Sequence, residues 1–559
     1  MSDGFIDRPR LVRGPWQAFE RDVGRLMLHN GFVDVRIVGG PGDRGADVLG
    51  VKGDELWVFQ CKHTTTSRPS HDAIAEVVEA GRAYGADRLA VAVSRAPGER
   101  FRQELLRYRR EGLRVEVATP SELLRLMESS PEYPPSRRPL RDYQVEAEAE
   151  LREALVDTGR GQIVLATGLG KTVVMAELVA DLFRDGLVQP PRVLVLAHTR
   201  ELVEQLHRNF WYQLPKWIQT QHLAGGEWPE LWDGLVFATV QSIDANLSRL
   251  PPFGLVLIDE AHHAGASIFQ RCIETLDAPM LAGATATPWR GDGFDLSSLL
   301  GRPLYQLGIA DGLRRGFLSE VDYRLCADDI DWNLVQDRSN YRYSLSQLNR
   351  RLILPTRDDE AARLIRSVFH EEGRRGGIVF CPTREHARSM AATLRQHDLR
   401  AEHVSGDMPG RERDLVMARF RAGELDFVAS VDLFNEGVDV PDVDMIVFMR
   451  ATHSRRIFVQ QLGRGLRASP NKDKVVVLDF VTDLRRVAEV VELERAASAG
   501  PVERLGLGSR LISFRDATAG DFLQEWMLDQ ASLVLREGDH GLELPRFEFP
   551  ESPPPGNVN

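Results

Sequence analysis

At 559 residues the chain is too long for one core and, at about 150 residues per domain, calls for three to four domains. Its 43% hydrophobic and 27% charged residues are those of an ordinary globular protein, and a net charge of −12 removes any global basic signature of nucleic-acid binding, although a basic groove on an acidic body stays open. Four singly scattered cysteines, Cys61, Cys272, Cys326 and Cys381, exclude a disulfide framework and a paired-cysteine zinc site. The opening stretch MSDGFIDRPRLVRGPW has no apolar signal region and no apolar run reaches the roughly 20 residues of a membrane span, so a cytoplasmic protein with no membrane association is expected.

Residues 1–127 begin with the amphipathic pattern WQAFERDVGRLMLHNGF. Strand-like runs follow at DVRIV, ADVLGV, LWVFQ and LAVAVS, then helical patterns around HDAIAEVVEAGRAYG and RFRQELLRYRREG, the strand LRVEVAT and the helix SELLRLM, which together predict a small α/β domain. The Pro- and Ser-rich stretch 128–137 reads as a linker. Over 138–295, the short apolar runs QIVLAT, RVLVLAHT, LVFATV, LVLIDE and MLAGATAT alternate with helical segments, the pattern of a parallel sheet wound by crossover helices. A second series, GGIVFCPT, AEHVSG, DFVASV, DMIVFM and KVVVLDF, runs over 356–489. Residues 296–355 read as a helical and irregular connector. Residues 490–559 hold one plausible helix, DFLQEWMLDQASLVL, and a Pro-rich tail expected to be disordered.

IVLATGLGKTVVMAEL sets a glycine-containing loop between a strand and a helix. Backbone N–H groups of such a loop, from Thr167, Gly168 and Gly170, cradle phosphates, with Lys171 reaching the β and γ oxygens and Thr172 coordinating Mg²⁺. Leu165 stands where the first glycine of the strict pattern would be. Downstream, FGLVLIDEAHH is an apolar strand ending in two carboxylates, so that Asp259 can hold the metal ion and Glu260 can orient the attacking water.

Together ATGLGKT, DEAHH, GATATP and QQLGRGLR resemble a superfamily 2 helicase or translocase of the DEAH type, and more closely the motors of restriction systems and DNA repair. The resemblance covers about 138–485 and implies two tandem RecA-like domains with doubly wound parallel sheets, ATP between them and a nucleic-acid strand across both. It implies that Gln144, with Tyr143 beside it, reads adenine. His198, Thr199 and Arg200, with Thr239 and Gln241, would touch the strand's backbone, and Thr285 and Thr287 would couple hydrolysis to domain movement. In the second domain Glu436, Gly437 and Asp439 would face nucleotide and strand. Gln460 would join the coupling, and Arg464 and Arg467 would act as arginine fingers on the transferring phosphoryl group. Trp289 and Arg290, in TPWRGDG with Asp292, match the same loop in that branch, where Trp289 either stacks on a base or packs.

In the amino-terminal domain Asp47, Gln60 and Lys62 are spaced D-x12-Q-x-K. Period 2 along a strand puts Gln60 and Lys62 on one face and Cys61 on the other. With Glu20 and the GDRGAD turn, the segment 13–127 resembles the Mrr-type branch of the restriction-endonuclease-like, PD-(D/E)xK fold, in which glutamine commonly replaces the first acid. The resemblance implies that Asp47 is the central metal ligand, Gln60 lends its amide oxygen, Lys62 positions or activates water, and Glu20 assists. Asp43 reads better as a turn former, and His63 and His71 as exposed loop residues.

The expected protein is an ATP-dependent DNA helicase or translocase coupled to a Mg²⁺-dependent endonuclease, serving prokaryotic restriction, anti-phage defence or DNA repair. ATP and Mg²⁺ are its expected cofactors and double- or single-stranded DNA its expected partner, with protein partners of a defence system besides. Two alternatives stay open: a repair helicase whose first domain binds DNA without cutting, and an ATP-gated component of a multiprotein defence complex.

Overall fold

A computed structural model describes residues 4–38, 45–286, 295–326, 358–408, 410–431, 443–449, 466, 472, 474–480 and 505–506. The first domain lays helices on both faces of a five-stranded sheet of order β1-β2-β3-β4-β5. Its chain runs α1 (Arg8–Val12), α2 (Trp16–His29), β1 (Val33–Ile37), β2 (Val48–Lys52), β3 (Glu55–Lys62), α3 (Asp72–Tyr84), β4 (Arg88–Val93), α4 (Glu99–Arg110), β5 (Val115–Ala118) and α5 (Pro120–Ser129). β1, β2 and β3 pair antiparallel, whereas β4 and β5 add parallel to β3. Alternation along β3 divides its side chains: Phe59 and Cys61 join the core under α2, and Val58 joins the opposite core under α3. Such strict period-2 sorting puts the polar Gln60 and Lys62 on the α3 side.

The next domain is a parallel seven-stranded sheet of order β12-β6-β11-β10-β7-β9-β8. Its elements are α6 (Asp142–Thr158), β6 (Arg160–Leu165), α7 (Lys171–Arg184), β7 (Arg192–Ala197), α8 (Arg200–Trp211), β8 (Thr220–Leu223), β9 (Gly234–Thr239), α9 (Val240–Asp244), β10 (Leu255–Asp259), α10 (Ser267–Leu276), β11 (Met280–Thr285), α11 (Ser297–Leu300) and β12 (Tyr305–Leu307). β6, β7, β9, β10 and β11 are buried along almost their whole length, as a sheet covered on both faces requires, which is why each reads as a continuous apolar run. In this order the ends of β6, β10 and β11 come together, and those of β7 and β9 lie beside them.

The third domain belongs to a separate compact unit. It contains α12 (Ile309–Arg314), β13 (Glu320–Cys326), α13 (Asp358–Glu371), β14 (Gly377–Phe380), α14 (Arg384–Gln396), β15 (Ala401–Val404), α15 (Gly410–Arg421), β16 (Phe427–Ser430), β17 (Met445–Phe448), β18 (Lys474–Phe480) and β19 (Leu505–Gly506). These strands form an all-parallel sheet of order β15-β16-β14-β17-β18-β13-β19. The fold class of the described residues is therefore α/β, a restriction-endonuclease-like sheet followed by two RecA-like sheets.

One expectation needs correction. The segment read as a helical and irregular connector contributes β12 to the first motor sheet and β13 to the second, where β13 lies beside β18 over seven residue pairs. β12 is only three residues long, too short for periodicity to register, and β13 carries alternating charges, Glu320, Asp322 and Arg324, in place of an apolar run. Asp322 and Arg324 are answered by partners: Arg324 pairs with Asp322 and Glu372, and Lys474 with both acids at 2.9 and 3.1 Å.

All four cysteines are buried and free. Among the described residues no helix is long and apolar enough to cross a membrane.

Candidate functional sites

The motor site grows from three neighbouring strand ends. β6 closes on Leu165 and the chain enters a loop in which Gly168 and Gly170 hold φ of 91° and 83°. A Cβ on Gly170 would stand 2.4 Å from the Gln144 amide nitrogen, so glycine is required there by both conformation and space. Gln144 in turn caps its own helix, accepting from the Arg141 N–H at 3.0 Å. This places the expected adenine-reading residue directly against the phosphate loop, with Tyr143 buried beside it.

Lys171, first residue of α7, meets Glu260 at 3.0 Å (Nζ to Oε1). Glu260 lies just past β10 with φ 49° and ψ 53°, a left-handed conformation that costs a non-glycine residue on the order of 1–3 kcal/mol and is retained where geometry matters. Its second oxygen faces His262 Nδ1 at 3.3 Å, and that nitrogen lies 3.0 Å from Thr285 Oγ1 at the end of β11. The chain Lys171, Glu260, His262, Thr285 thus joins three motifs. His262 carries the link, and its signal was in plain sight as the first histidine of DEAHH.

Burial works against the charge of Glu260, but Lys171 and His262 outweigh it and hold that carboxyl well below the usual range. Asp259 goes the other way: burial, then the Glu260 charge, push its carboxyl up. Asp259 Oδ1 is buried with no hydrogen-bond partner among the described residues. A buried oxygen left bare is costly unless something fills the need, and a hard divalent cation suits it.

β7 and β9 run side by side with Ala197 opposite Thr239, so the two motifs expected to touch a nucleic-acid strand are adjacent. Gln241 donates to the His198 carbonyl at 3.4 Å. The Thr199 and Thr239 hydroxyls are engaged as helix caps, toward Leu202 N and Ser242 N, each at 3.2 Å. What this edge presents outward is Arg200, exposed and paired with Glu204 at 2.8 Å.

In the first domain, Asp47 directly precedes β2. Since Val48 pairs with Phe59, Asp47 falls opposite Gln60, and its Oδ2 accepts the Cys61 N–H at 2.5 Å. Gln60 is 5% exposed, and its amide oxygen is buried with no hydrogen-bond partner among the described residues. Lys62 meets Glu76 of α3 at 2.6 Å. Glu76 escaped sequence reasoning because it belongs to the next helix and no motif contains it. A trace existed: Gly45, at φ 86° in the GDRGAD turn, would drive a Cβ to within 2.6 Å of Glu76. Glu20 is buried on α2. Burial raises the Cys61 thiol, and the charges of Asp47 and Glu20 add to the rise, so both acids reach the same strand end.

Among the described residues no group of three or more His, Cys, Asp or Glu is arranged to hold a metal. A site built from one carboxylate and one amide oxygen is the acid-poor arrangement that count omits. His63, expected in an exposed loop, packs its ring on Phe19 with centroids 5.8 Å apart. Asp43, Thr287, Trp289, Arg290, Asp292, Glu436, Gly437, Asp439, Gln460, Arg464 and Arg467 lie outside the described residues, as does the expected carboxy-terminal helix.

A restriction-type sheet thus precedes a phosphate-loop sheet whose acid strand reaches Thr285 of β11 through His262. Residues 11–127 match the restriction endonuclease family, residues 137–290 the type III restriction enzyme res subunit, and residues 359–469 the helicase conserved C-terminal domain. In order along the chain, a domain matching the Mrr-type restriction endonuclease family thus precedes two domains matching helicase-type families.

A Saccharomyces cerevisiae protein provisionally assigned as the ATP-dependent helicase IRC3 is 27% identical over 68% of this chain and 56% of its own length. The type I restriction enzyme EcoKI endonuclease subunit of Escherichia coli is 25% identical over 68% of this chain and 38% of its own. The DNA-bound, ATP-dependent type ISP restriction-modification enzyme LlaBIII shares the fold, with a TM-score of 0.54 at 16% identity over 92% of this chain and 41% of its own. The chain thus spans about half the length of such relatives. Its domain types imply ATP and a divalent metal ion as cofactors.

Proposed function

We propose that the chain hydrolyses ATP to move along or open DNA and that its first domain cleaves phosphodiester bonds with Mg²⁺, in the cytoplasm, as part of restriction, anti-phage defence or DNA repair. The observation that carries the nuclease half is Gln60, whose buried, unpartnered amide oxygen faces the strand end of Asp47 and Lys62. In the motor, Lys171 and Thr172 hold the phosphates and their ion, Glu260 orients water, and His262 and Thr285 relay the state of that water to β11. Arg200 and the motif ends around it hold the strand. Gly437 and Asp439 are assigned to nucleotide and strand, Arg464 and Arg467 to the transferring phosphoryl group as arginine fingers, Thr287 and Gln460 to coupling with Thr285, and Trp289 and Arg290 to the strand.

In the nuclease, Asp47 and Gln60 would hold Mg²⁺, which supplies charge neutralisation at the phosphate and a more acidic water. Lys62 holds that water, and Glu20 supports the acid-poor ligand set. A second reading, a repair helicase whose first domain binds without cutting, draws support from the Lys62–Glu76 pair, which occupies the lysine. Protein partners of a defence system are proposed for the region beyond residue 490.

A cleavage assay with Mg²⁺ and ATP on modified and unmodified duplexes, run beside Asp47→Ala and Lys171→Ala, tests the proposal. Cleavage that survives Asp47→Ala undiminished rules out the nuclease assignment.

A further inference from the structure

The nuclease domain and the first motor domain lie in one compact unit, and the contacts between them are those of a packed joint. α2, which carries Glu20, lays its other side on the motor. Arg25 is fully buried there, donating to the carbonyls of Ile218 at 2.7 Å and Pro215 at 2.9 Å, with its guanidinium 4.2 Å from the Phe5 ring centroid. Trp211, the last residue of α8, is 1% exposed and sits in the nuclease core beside Phe19, Met27 and Phe59. Lys216 donates to three carbonyls at the end of α5, those of Met127, Glu128 and Ser130, at 2.8–3.2 Å. A lysine there satisfies helix-end acceptors and opposes the negative end of the dipole.

The Pro- and Ser-rich stretch is itself tied down. Glu132 accepts from the Lys216 N–H at 2.7 Å and from the Trp217 indole at 3.1 Å, and Arg137 pairs with Glu177 of α7. It behaves as a strap between packed surfaces, so the relative placement of the domains does not depend on its length.

One helix spans the joint. α8 begins at Arg200, on the strand-facing edge of the motor, and ends at Trp211 inside the nuclease core; its 12 residues cover about 18 Å. Near its start, Glu227 of the motor domain meets an arginine of the nuclease domain. It is held bidentate by Arg21 of α2 at 3.1 and 2.5 Å, and its charge also acts on Arg200. Arg21 directly follows Glu20.

We propose that α8 and the Arg21–Glu227 pair form a fixed joint that holds the nuclease site at a set offset from the motor's strand-contacting edge, so that DNA drawn by the motor is presented to the nuclease at a constant distance. This rests on the nuclease–motor reading above. Burying Trp211 and a full arginine charge suits a contact that stays closed, because parting the domains would strand a large apolar surface and the guanidinium's two acceptors.

The test uses the full chain with Arg21→Glu and Glu227→Arg, singly and combined. Backbone hydrogen exchange is followed in α2 and in residues 215–218, and ATP-dependent cleavage is expressed per ATP hydrolysed. Each single change is expected to speed exchange at the joint and to lower cleavage per ATP by about tenfold, with ATP hydrolysis itself retained; the combined change restores both. Single variants with wild-type exchange, or losses that the combined change fails to rescue, overturn the joint. Faster exchange with unchanged cleavage per ATP overturns its role in presenting DNA. A wild-type chain that neither cleaves DNA nor hydrolyses ATP overturns the functional reading and this role together, and the exchange result still decides whether the joint exists.

Discussion

The two catalytic regions each hold a lysine against a glutamate, Lys171 with Glu260 at 3.0 Å and Lys62 with Glu76 at 2.6 Å, and the pairs sit at different depths. The motor pair is 10% and 14% exposed, the nuclease pair 26% and 40%. Both partners of the motor pair come from motifs, and Glu260 is further held by His262 and by a strained backbone. In the nuclease one partner is motif and the other an ordinary helix residue, and the oxygens proposed to hold the metal include a neutral amide. The motor site is built to hold fixed charge in low dielectric, where it acts strongly. The nuclease pair lies partly in water beside the buried Glu20, Asp47 and Gln60, so the placement of its lysine should be the more easily tuned by its surroundings.

Four changes test that contrast, taken from the largest expected effect downward. Lys171→Ala removes the phosphate-facing charge of a buried site and should lower DNA-stimulated ATP hydrolysis by about 10²- to 10³-fold, read as phosphate release; a loss of only a few-fold would show that the buried pair is scaffolding. Asp47→Ala takes away the one carboxylate aligned with Gln60 and should cut Mg²⁺-dependent cleavage by about 10²-fold while leaving ATP hydrolysis intact.

Glu76→Gln should act more gently, changing cleavage by about tenfold through the placement of Lys62. Its direction separates the two readings of the first domain. A fall means that Glu76 positions the lysine for cutting, and a rise means that it restrains the lysine. A loss as deep as that of Asp47→Ala would instead put Glu76 among the metal-facing groups and end the comparison of the two pairs.

The α/β class and the order of a nuclease sheet before two motor sheets were legible in the sequence because buried parallel strands are continuous apolar runs and the motifs sit at their ends. In the motor, Lys171, Glu260 and Thr285 were named from such ends, and the structure brings them together. Two kinds of information were not legible. Glu76 and Trp211 act through contacts between segments far apart in the chain, and on their own helices they look like any exposed acid and any core aromatic. β12 and β13 were hidden by shortness and by charges whose partners, Glu372 and Lys474, come from other elements. Thr199 and Thr239 show a third case, in which a hydroxyl expected to meet a phosphate also accepts a hydrogen bond as a helix cap, a role the motif alone did not reveal.

The smallest effect separates the pairs by depth alone. Salt screens charges in water over about 8–10 Å but penetrates little into a buried pair. An exposed ion pair contributes about 0–1 kcal/mol, so the loss of thermal stability in Glu76→Gln relative to the parent should be small at low salt and vanish near 0.5 M. Breaking the Lys171–Glu260 pair leaves a lysine uncompensated in low dielectric, a penalty that ionic strength barely touches. The measurement is therefore a difference of differences: the change in Tm for Glu76→Gln and for Glu260→Gln, each against the parent chain, at low and high salt without DNA. Comparing each variant with its own parent at the same salt cancels the general effect of salt on the fold. If both differences collapse together, the motor pair is as hydrated as the nuclease pair, and the proposed division between a buried, strongly acting pair and a partly exposed, tunable one fails.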